Sequence, residues 1–296
     1  MGYSIQMLSE LDGVALASGA EVIDKYISTK NCTGLLIGVK SQENGGTIQT
    51  LANIFTKMGT LEVVVSNQNG GGSQVSIDWD DIPSYTERIM HPGLQSHITG
   101  TQADDNWVFA SFFIPLSPDP YSPKFGYRDA RIKLLTSGTQ TASDNYSVYA
   151  AALLHDQAPE YYVQMIQNAY TTSSGVNKDF DLPEGQLLMG VHAFGTTSLG
   201  DLTATDAPTI DQFALVVDNS ERERINARAL AALQPRGFYN LTATPTTASA
   251  DYLFWDLGFK KGFGIPIARN WKLRVKTLAS DAARIYPLIA FRERQS

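Results

Sequence analysis

The chain has 296 residues, of which 43% are hydrophobic and 18% are charged, and its net charge at pH 7 is −7. This composition is typical of a folded globular protein and excludes a disordered one. An acidic chain lacks the positive surface needed to coat nucleic acid, so we expect no sequence-specific nucleic-acid partner. The single cysteine, Cys32, excludes an intrachain disulfide framework, and we expect it to be a small buried side chain.

Residues 1–17, MGYSIQMLSELDGVALA, precede the first predicted strand, and Ile5, Leu8 and Leu11 recur in them at helical spacing. The segment lacks the basic start and long apolar run of a secretory signal, and no stretch of the chain reaches the roughly 18 apolar residues of a membrane span. We therefore predict a separate N-terminal arm over 1–17. We also expect the protein to be made and assembled in a cytoplasm, its own or a host's.

The chain repeats itself. LLIGV at 35–39 matches LLMGV at 187–191, and LEVVVSN at 61–67 matches FALVVDN at 213–219 with the same offset of 152 residues. Two further pairs of similar blocks follow in the same order: 92–109 with 235–254, and 130–151 with 268–289. Four ordered matches predict a duplicated domain, with copies at 18–156 and 157–296.

The matched blocks are typical of β-strands, because apolar and β-branched runs of four to eight residues lie between clusters of Gly, Asn, Asp and Pro. Only two segments, 47–58 and 222–234, have a helical apolar face, and we expect both to pack against a sheet. Strands without regularly interposed helices favour antiparallel sheets. We therefore predict an all-β chain of two tandem, eight-stranded antiparallel jelly rolls, a double jelly roll, with a few short helices in the connections.

Acidic residues cluster in IDWDD, which contains Asp78, Asp80 and Asp81. On a strand, Asp78 and Asp80 would share one face, and such a carboxylate pair suits a structural calcium ion. The alternative is a solvated loop edge. We expect no other cofactor.

Motifs for catalysis are missing from the sequence. The four histidines, His91, His97, His155 and His192, form no HxH pair of the kind that cupin-like metal sites use, and there is no GxSxG nucleophile turn. The glycine-rich NGGGS at 69–73 lacks the Lys-Ser/Thr of a phosphate loop. We therefore predict a protein that is not an enzyme.

The repeated blocks, LLIGV with LLMGV, EVVVSN with ALVVDN and SDNYSVYA with SDAARIYP, resemble in their architecture the major capsid proteins of the double jelly-roll viral lineage. That lineage includes adenovirus-like coat proteins and those of tectivirus-like and corticovirus-like bacteriophages. The resemblance implies a structural protein of a tailless icosahedral virion. Three copies would form a pseudo-hexagonal trimer that tiles the shell, with minor capsid or penton proteins as further partners.

The resemblance also implies an inner face that meets an internal viral membrane. We assign the basic residues Lys260, Lys261, Arg292 and Arg294 to that face, because nine basic residues and only Asp281 and Glu293 lie between 260 and 294. Solvated strand faces are the alternative explanation of these charges. Two other functions stay open: a two-jelly-roll carbohydrate-active or peptide-N-glycanase-like hydrolase, and a receptor-binding spike.

Overall fold

The computed structural model describes residues 2–16, 22–42, 58–65, 73–82, 97–100, 108–136, 145–166, 168–171, 175–195, 209–227, 229–230, 252–278 and 282–292. The chain divides into two compact units. The first is Met1–Val163 with Arg292–Ser296, and the second is Gln164–Phe291.

The first unit is built from two antiparallel sheets. Its strands are β1 (Tyr3–Ala15), β2 (Val22–Ser28), β3 (Asn31–Gln42), β4 (Thr60–Val65), β5 (Ser73–Asp78), β6 (His97–Gly100), β7 (Val108–Pro115), β8 (Ala130–Leu135) and β9 (Asn145–His155). One sheet has the order β1-β9-β3-β7-β6, and the other has the order β2-β8-β4-β5. If β6 is set aside, one sheet holds strands one, eight, three and six, and the other holds two, seven, four and five. That is the strand order of a jelly roll.

The second unit has the same order. Its strands are β11 (Asn168–Thr171), β12 (Asn177–Asp181), β13 (Leu187–Gly195), β14 (Ile210–Val217), β15 (Ser220–Asn226), β16 (Tyr252–Asp256), β17 (Ile265–Pro266), β18 (Trp271–Thr277) and β19 (Ala282–Arg292), preceded by β10 (Tyr161–Ile166). One sheet has the order β12-β18-β14-β15, and in the other β19 lies between β13 and β10–β11, with β16 beyond β13. We call the first unit roll 1 and the second roll 2. The predicted fold class is confirmed.

The two rolls also share their strand register. In roll 1, Gly38 pairs with Ser111 and Lys40 pairs with Phe109. In roll 2, the residues 152 positions later, Gly190 and His192, pair with Asp256 and Phe254. The sequence match placed Phe109 opposite Phe254, so the ladders repeat the internal match at the level of single residue pairs.

The predicted N-terminal arm is wrong. Residues Tyr3–Ala15 form β1, which pairs with β9 as the first strand of roll 1. The helical spacing of Leu8 and Leu11 arises because the ladder slips between Met7 and Asp12, so that both leucines are buried although they are three residues apart. At the other end of roll 1, β9 ends at His155 and β10 begins at Tyr161.

The predicted helix at 222–234 is wrong over 222–226, which belong to β15, and helical residues begin at Ala227. The cause is the two-residue turn Asp218–Asn219, where both residues have positive φ (48° and 66°). This is the turn that directs a chain straight back into a hairpin, so that Ser220 pairs with Val217. The other predicted helix, 47–58, lies outside the described residues except for its last residue, Met58.

Each roll buries its own apolar core between its sheets. In roll 1 the core includes Trp79 and Phe112, whose rings meet edge to face at 5.5 Å. In roll 2 it includes Phe213 and Trp255, whose ring centroids are 6.4 Å apart. Since strand side chains alternate between faces, a residue set that fills the core leaves a second set on the outside of each sheet.

Candidate assembly surfaces

The sheet β1-β9-β3-β7 of roll 1 has two very different faces. Leu35, Ile37 and Val39 of β3 point into the core and are buried. The alternate residues along these strands point outward. Among them one row of paired residues crosses the four strands and consists of Met7, Ala151, Leu36 and Phe113. We call the outward set the roll 1 outer face; it consists of Tyr3, Ile5, Met7, Leu36, Phe109, Phe113, Tyr149, Ala151 and Leu153.

The roll 1 outer face is apolar and partly open to solvent. Ile5 is 61% exposed, Met7 53%, Leu36 38% and Phe109 39%. Apolar side chains grouped on one sheet face, rather than scattered singly, are typical of an interaction surface.

Glycines flatten this face. The ring of Phe109 lies across Gly38, and the ring of Phe113 lies across Gly34; a Cβ on either glycine would come within 2.4 Å and 2.8 Å of the ring. Tyr149 extends the ring layer, with its centroid 6.1 Å from that of Phe109. These rings fill the space above glycines that carry no side chain of their own, an arrangement suited to the close approach of another protein.

The corresponding face of roll 2 is buried. The row Tyr286–His192–Phe254 in roll 2 corresponds to the row Ser147–Lys40–Phe109 in roll 1. Phe254 is 6% exposed and lies across Gly190 as Phe109 lies across Gly38. His192 is fully buried between the rings of Phe254 and Phe194, and this burial holds its pKa well below the usual 6.5.

A connection of roll 2 carries two of the predicted inner-face residues. Between β16 and β18, Phe259–Lys261 form a single 3-10 turn whose Phe259 is buried. Lys260 and Lys261 are exposed, as is Arg292 at the end of β19, whereas Arg294 lies outside the described residues.

The same connection displays an exposed aromatic ring. Phe263 is 54% exposed, and its backbone N–H donates to the Gly258 carbonyl at 3.1 Å. Gly258 has φ 122° and lies so close to the Phe263 ring that a Cβ there would approach it to 2.6 Å. The corresponding connection of roll 1, between β7 and β8, displays Tyr121 at 57% exposure, with its ring 5.4 Å from that of Tyr3.

The acidic cluster lies differently from its prediction. Asp78 ends β5 and accepts a hydrogen bond from Thr60 Oγ1 at 3.2 Å, while Trp79–Asp81 turn away as a 3-10 helix and Asp81 is buried. Asp78 and Asp80 therefore do not share a strand face, and the side chain of Asp80 lies outside the described residues. Within the described part of the chain no group of three His, Cys, Asp or Glu residues is placed to hold a metal ion. The calcium site stays a prediction.

The histidines whose side chains are described, His155 and His192, and the cysteine Cys32 are all buried. His155 is buried, with its Nε2 3.1 Å from the Pro120 carbonyl oxygen, and burial raises the pKa of Cys32 to about 12, so its thiol is protonated at neutral pH. His91 and the side chain of His97 lie outside the described residues. Among the helices of the described residues, none is long and apolar enough to cross a membrane.

A groove of about 740 Å³ in roll 2 is lined by residues of β10, β11, β12 and β19. Its two carboxylates are held by cations: Asp179 accepts two hydrogen bonds from Arg274 at 2.7 and 2.9 Å, and Asp181 lies 3.4 Å from Lys272. The Arg274 guanidinium lowers the pKa of Asp179, whereas a glycosidase acid needs a raised one. Asp179 therefore lies in the groove as an ion-paired carboxylate.

No protein-family description matches the sequence, and no curated protein matches it. Solved structures do. The major capsid protein (MCP) of STIV superimposes with a TM-score of 0.65 at 11% identity, covering 99% of this chain and 97% of that one. Major capsid protein P2 of bacteriophage PM2 gives 0.58 at 11% identity, covering 100% and 99%. The Faustovirus major capsid protein gives 0.56 at 8% identity, covering 99% and 90%.

Peptide-N-glycanase F superimposes with a TM-score of 0.39 at 11% identity, which is too low to support an argument for or against that activity. The capsid proteins are similar over nearly the whole of both chains, and at this level of identity the similarity concerns the fold. The chain therefore has the double jelly-roll fold found in those major capsid proteins.

Proposed function

We propose that this protein is the major capsid protein of a tailless icosahedral virus, a structural protein without enzymatic activity. The observation that supports this most strongly is the match to the STIV MCP over 99% of this chain and 97% of that one. Two rolls thus account for nearly all of both proteins.

Duplication has a physical use in such a shell. One chain supplies two similar rolls, so a ring of three chains presents six similar rolls. Such a ring fits a lattice position that is surrounded by six neighbours. A closed cyclic trimer also buries the contact surfaces of all three chains, so that the chain does not polymerise without limit. We propose a homotrimer that assembles in the host cytoplasm into the virion lattice, with minor capsid or penton proteins filling the remaining positions.

We further propose that Lys260, Lys261, Arg292 and Arg294 face an internal viral membrane. The support is chemical: residues 257–270 contain three basic and no acidic side chains, and they display Phe263 beside the two lysines. An exposed aromatic ring with neighbouring lysines suits the interface of an anionic bilayer. Flotation with phosphatidylserine vesicles tests this: reversing the four charges should abolish binding, and binding equal to wild type would refute it.

The function itself is tested by the mass and shape of the purified protein. We expect particles of three times the 32.3 kDa chain mass that appear hexagonal in negative stain. A monomer that releases glycans from glycopeptides would instead support the hydrolase, and elongated rods would support a receptor-binding spike. Unfolding temperatures with calcium and with a chelator test the predicted ion at Asp78, Asp80 and Asp81; identical values would exclude a structural role for calcium.

A further inference from the structure

We propose that the roll 1 outer face is the surface through which one copy of this chain binds a second copy, each copy presenting it to its neighbour around a closed ring. The inference rests on the proposed function, and it names the surface by which the trimer closes.

The chemistry of the face suits a protein contact. Its exposed members, Ile5, Met7, Leu36 and Phe109, lie on β1, β3 and β7, and Ala151 and Leu153 of β9 fill the space between β1 and β3. Its charged neighbours are Lys40, which pairs with Phe109, and Asp12, which pairs with Tyr149 on the edge strand β1. Burying such a face against another protein is favourable, because apolar surface leaves water and little charge has to be desolvated.

The duplication identifies the occupant of the face. The same face of roll 2, with the same glycine and phenylalanine in the same register, is buried: Phe254 is 6% exposed where Phe109 is 39% exposed. One ancestral surface is thus covered in roll 2 and uncovered in roll 1. Because the roll 2 face is buried in the single chain, this chain itself covers it. In a ring of identical chains a neighbouring copy can cover the equivalent face of roll 1, so the partner is another copy of this chain.

Strand β1 is the edge strand of this sheet among the described residues, where it pairs with β9. Its residues 3–7 are exposed, and Tyr3, Ile5 and Met7 among them lie at the rim of the face. An edge strand with three exposed apolar side chains is a liability in a free monomer. In the ring it becomes part of the contact.

Replacing Leu36 by Lys, or Ile5 by Lys, tests the proposal, because both side chains are exposed in the single chain and a lysine there leaves the core intact. Native mass spectrometry over a range of protein concentrations should show the wild type at three chain masses. Each variant should need at least a tenfold higher concentration to form the trimer. The matched control is Val176→Lys, at a 48% exposed valine of roll 2, which should assemble as the wild type does.

Phe109→Ser provides a second variant without a new charge and should weaken the trimer in the same direction. Unfolding temperatures measured on the monomeric fractions show that the variants are folded. The proposal is overturned if folded Leu36→Lys and Phe109→Ser chains form trimers at the wild-type concentration. A wild-type protein that stays monomeric at every concentration would instead refute the proposed function itself.

Discussion

The outer faces of the two rolls began as one surface and now have opposite environments. In roll 1, Lys40 stands beside an exposed Phe109, and in roll 2, His192 stands beside a buried Phe254. The glycine under each ring is the same. The comparison shows that both copies of the sheet keep the same backbone geometry, whereas their side chains differ with solvent exposure. The half-exposed position of roll 1 has the cation Lys40, and the buried position of roll 2 has the neutral ring of His192.

Exchanging the two residues should have the largest effect. His192→Lys puts an ammonium among the rings of Phe194 and Phe254 at a fully buried position, and we expect a loss of about 3–5 kcal/mol in the free energy of unfolding, or failure to fold. The reciprocal change, Lys40→His, should cost under about 1 kcal/mol, because Lys40 is only half-buried. Urea unfolding of both variants measures the difference. Equal losses would mean that the two faces are not distinct environments.

The glycines make a finer comparison. A Cβ on Gly190 would lie 2.9 Å from the Trp255 carbonyl oxygen and 3.0 Å from the buried Phe254 ring, so Gly190→Ala should cost about 1–3 kcal/mol. The three atoms nearest to a Cβ on Gly38 all belong to the far end of the exposed Phe109 ring, which can swing away. Gly38→Ala should therefore cost under about 1 kcal/mol in the free energy of unfolding while weakening the trimer. A single chain that is destabilised as much by Gly38→Ala as by Gly190→Ala would contradict this.

His192 should also give roll 2 a sensitivity to acid. Burial lowers its pKa in the folded chain, so below pH 6.5 the unfolded chain binds a proton that the folded chain does not. The stability associated with neutral His192 is complete above pH 6.5 and falls by up to about 1.4 kcal/mol per pH unit below it, until the folded pKa is reached. Urea unfolding from pH 7.5 to 5 should show this slope in the wild type and a smaller slope in His192→Phe. Parallel curves would exclude a buried neutral histidine.

The smallest expected difference concerns an ion pair that each roll places between its second and seventh strands. In roll 2, Arg274 holds Asp179 with two hydrogen bonds, and the side chains are 19% and 28% exposed. In roll 1, Arg131 holds Asp24 at 2.8 Å, with exposures of 40% and 36%. Asp179→Asn should cost about 1 kcal/mol and Asp24→Asn about half of that or less, because solvent screens the more exposed pair. Thermal unfolding compares them, and a larger loss for Asp24→Asn would reverse the argument.

Much of the fold could be predicted from the sequence, because the duplication gave two independent examples of each strand. The strand ladders confirm that Gly38 of roll 1 corresponds to Gly190 of roll 2, and that Phe109 corresponds to Phe254. The later match was less accurate: the ladders relate Ile132 to Leu273, through their partners Val63 and Leu215, whereas the sequence blocks aligned Ala130 with Ala268. Connections of unequal length hide such shifts from a sequence comparison.

The assembly surface could not be predicted in the same way. β1 was missed because a slipped ladder imitates helical spacing, and without β1 the outer face loses Ile5 and Met7. β15 was missed because its alternation is obscured by charged residues on an exposed strand. The exposed Phe109 and the buried Phe254 have similar sequence surroundings, so only the structure shows which of the two faces is open.

The open face of roll 1 should become covered when copies of the chain assemble, and thiol labelling tests this most directly. Cys32 is buried and its pKa is raised to about 12, so a cysteine introduced by Leu36→Cys reports almost alone. We predict that this thiol reacts readily with maleimide in dilute, dissociated protein and at least tenfold more slowly in the trimer. A Val176→Cys control should react equally in both. Equal labelling of Leu36→Cys in both states would contradict the account.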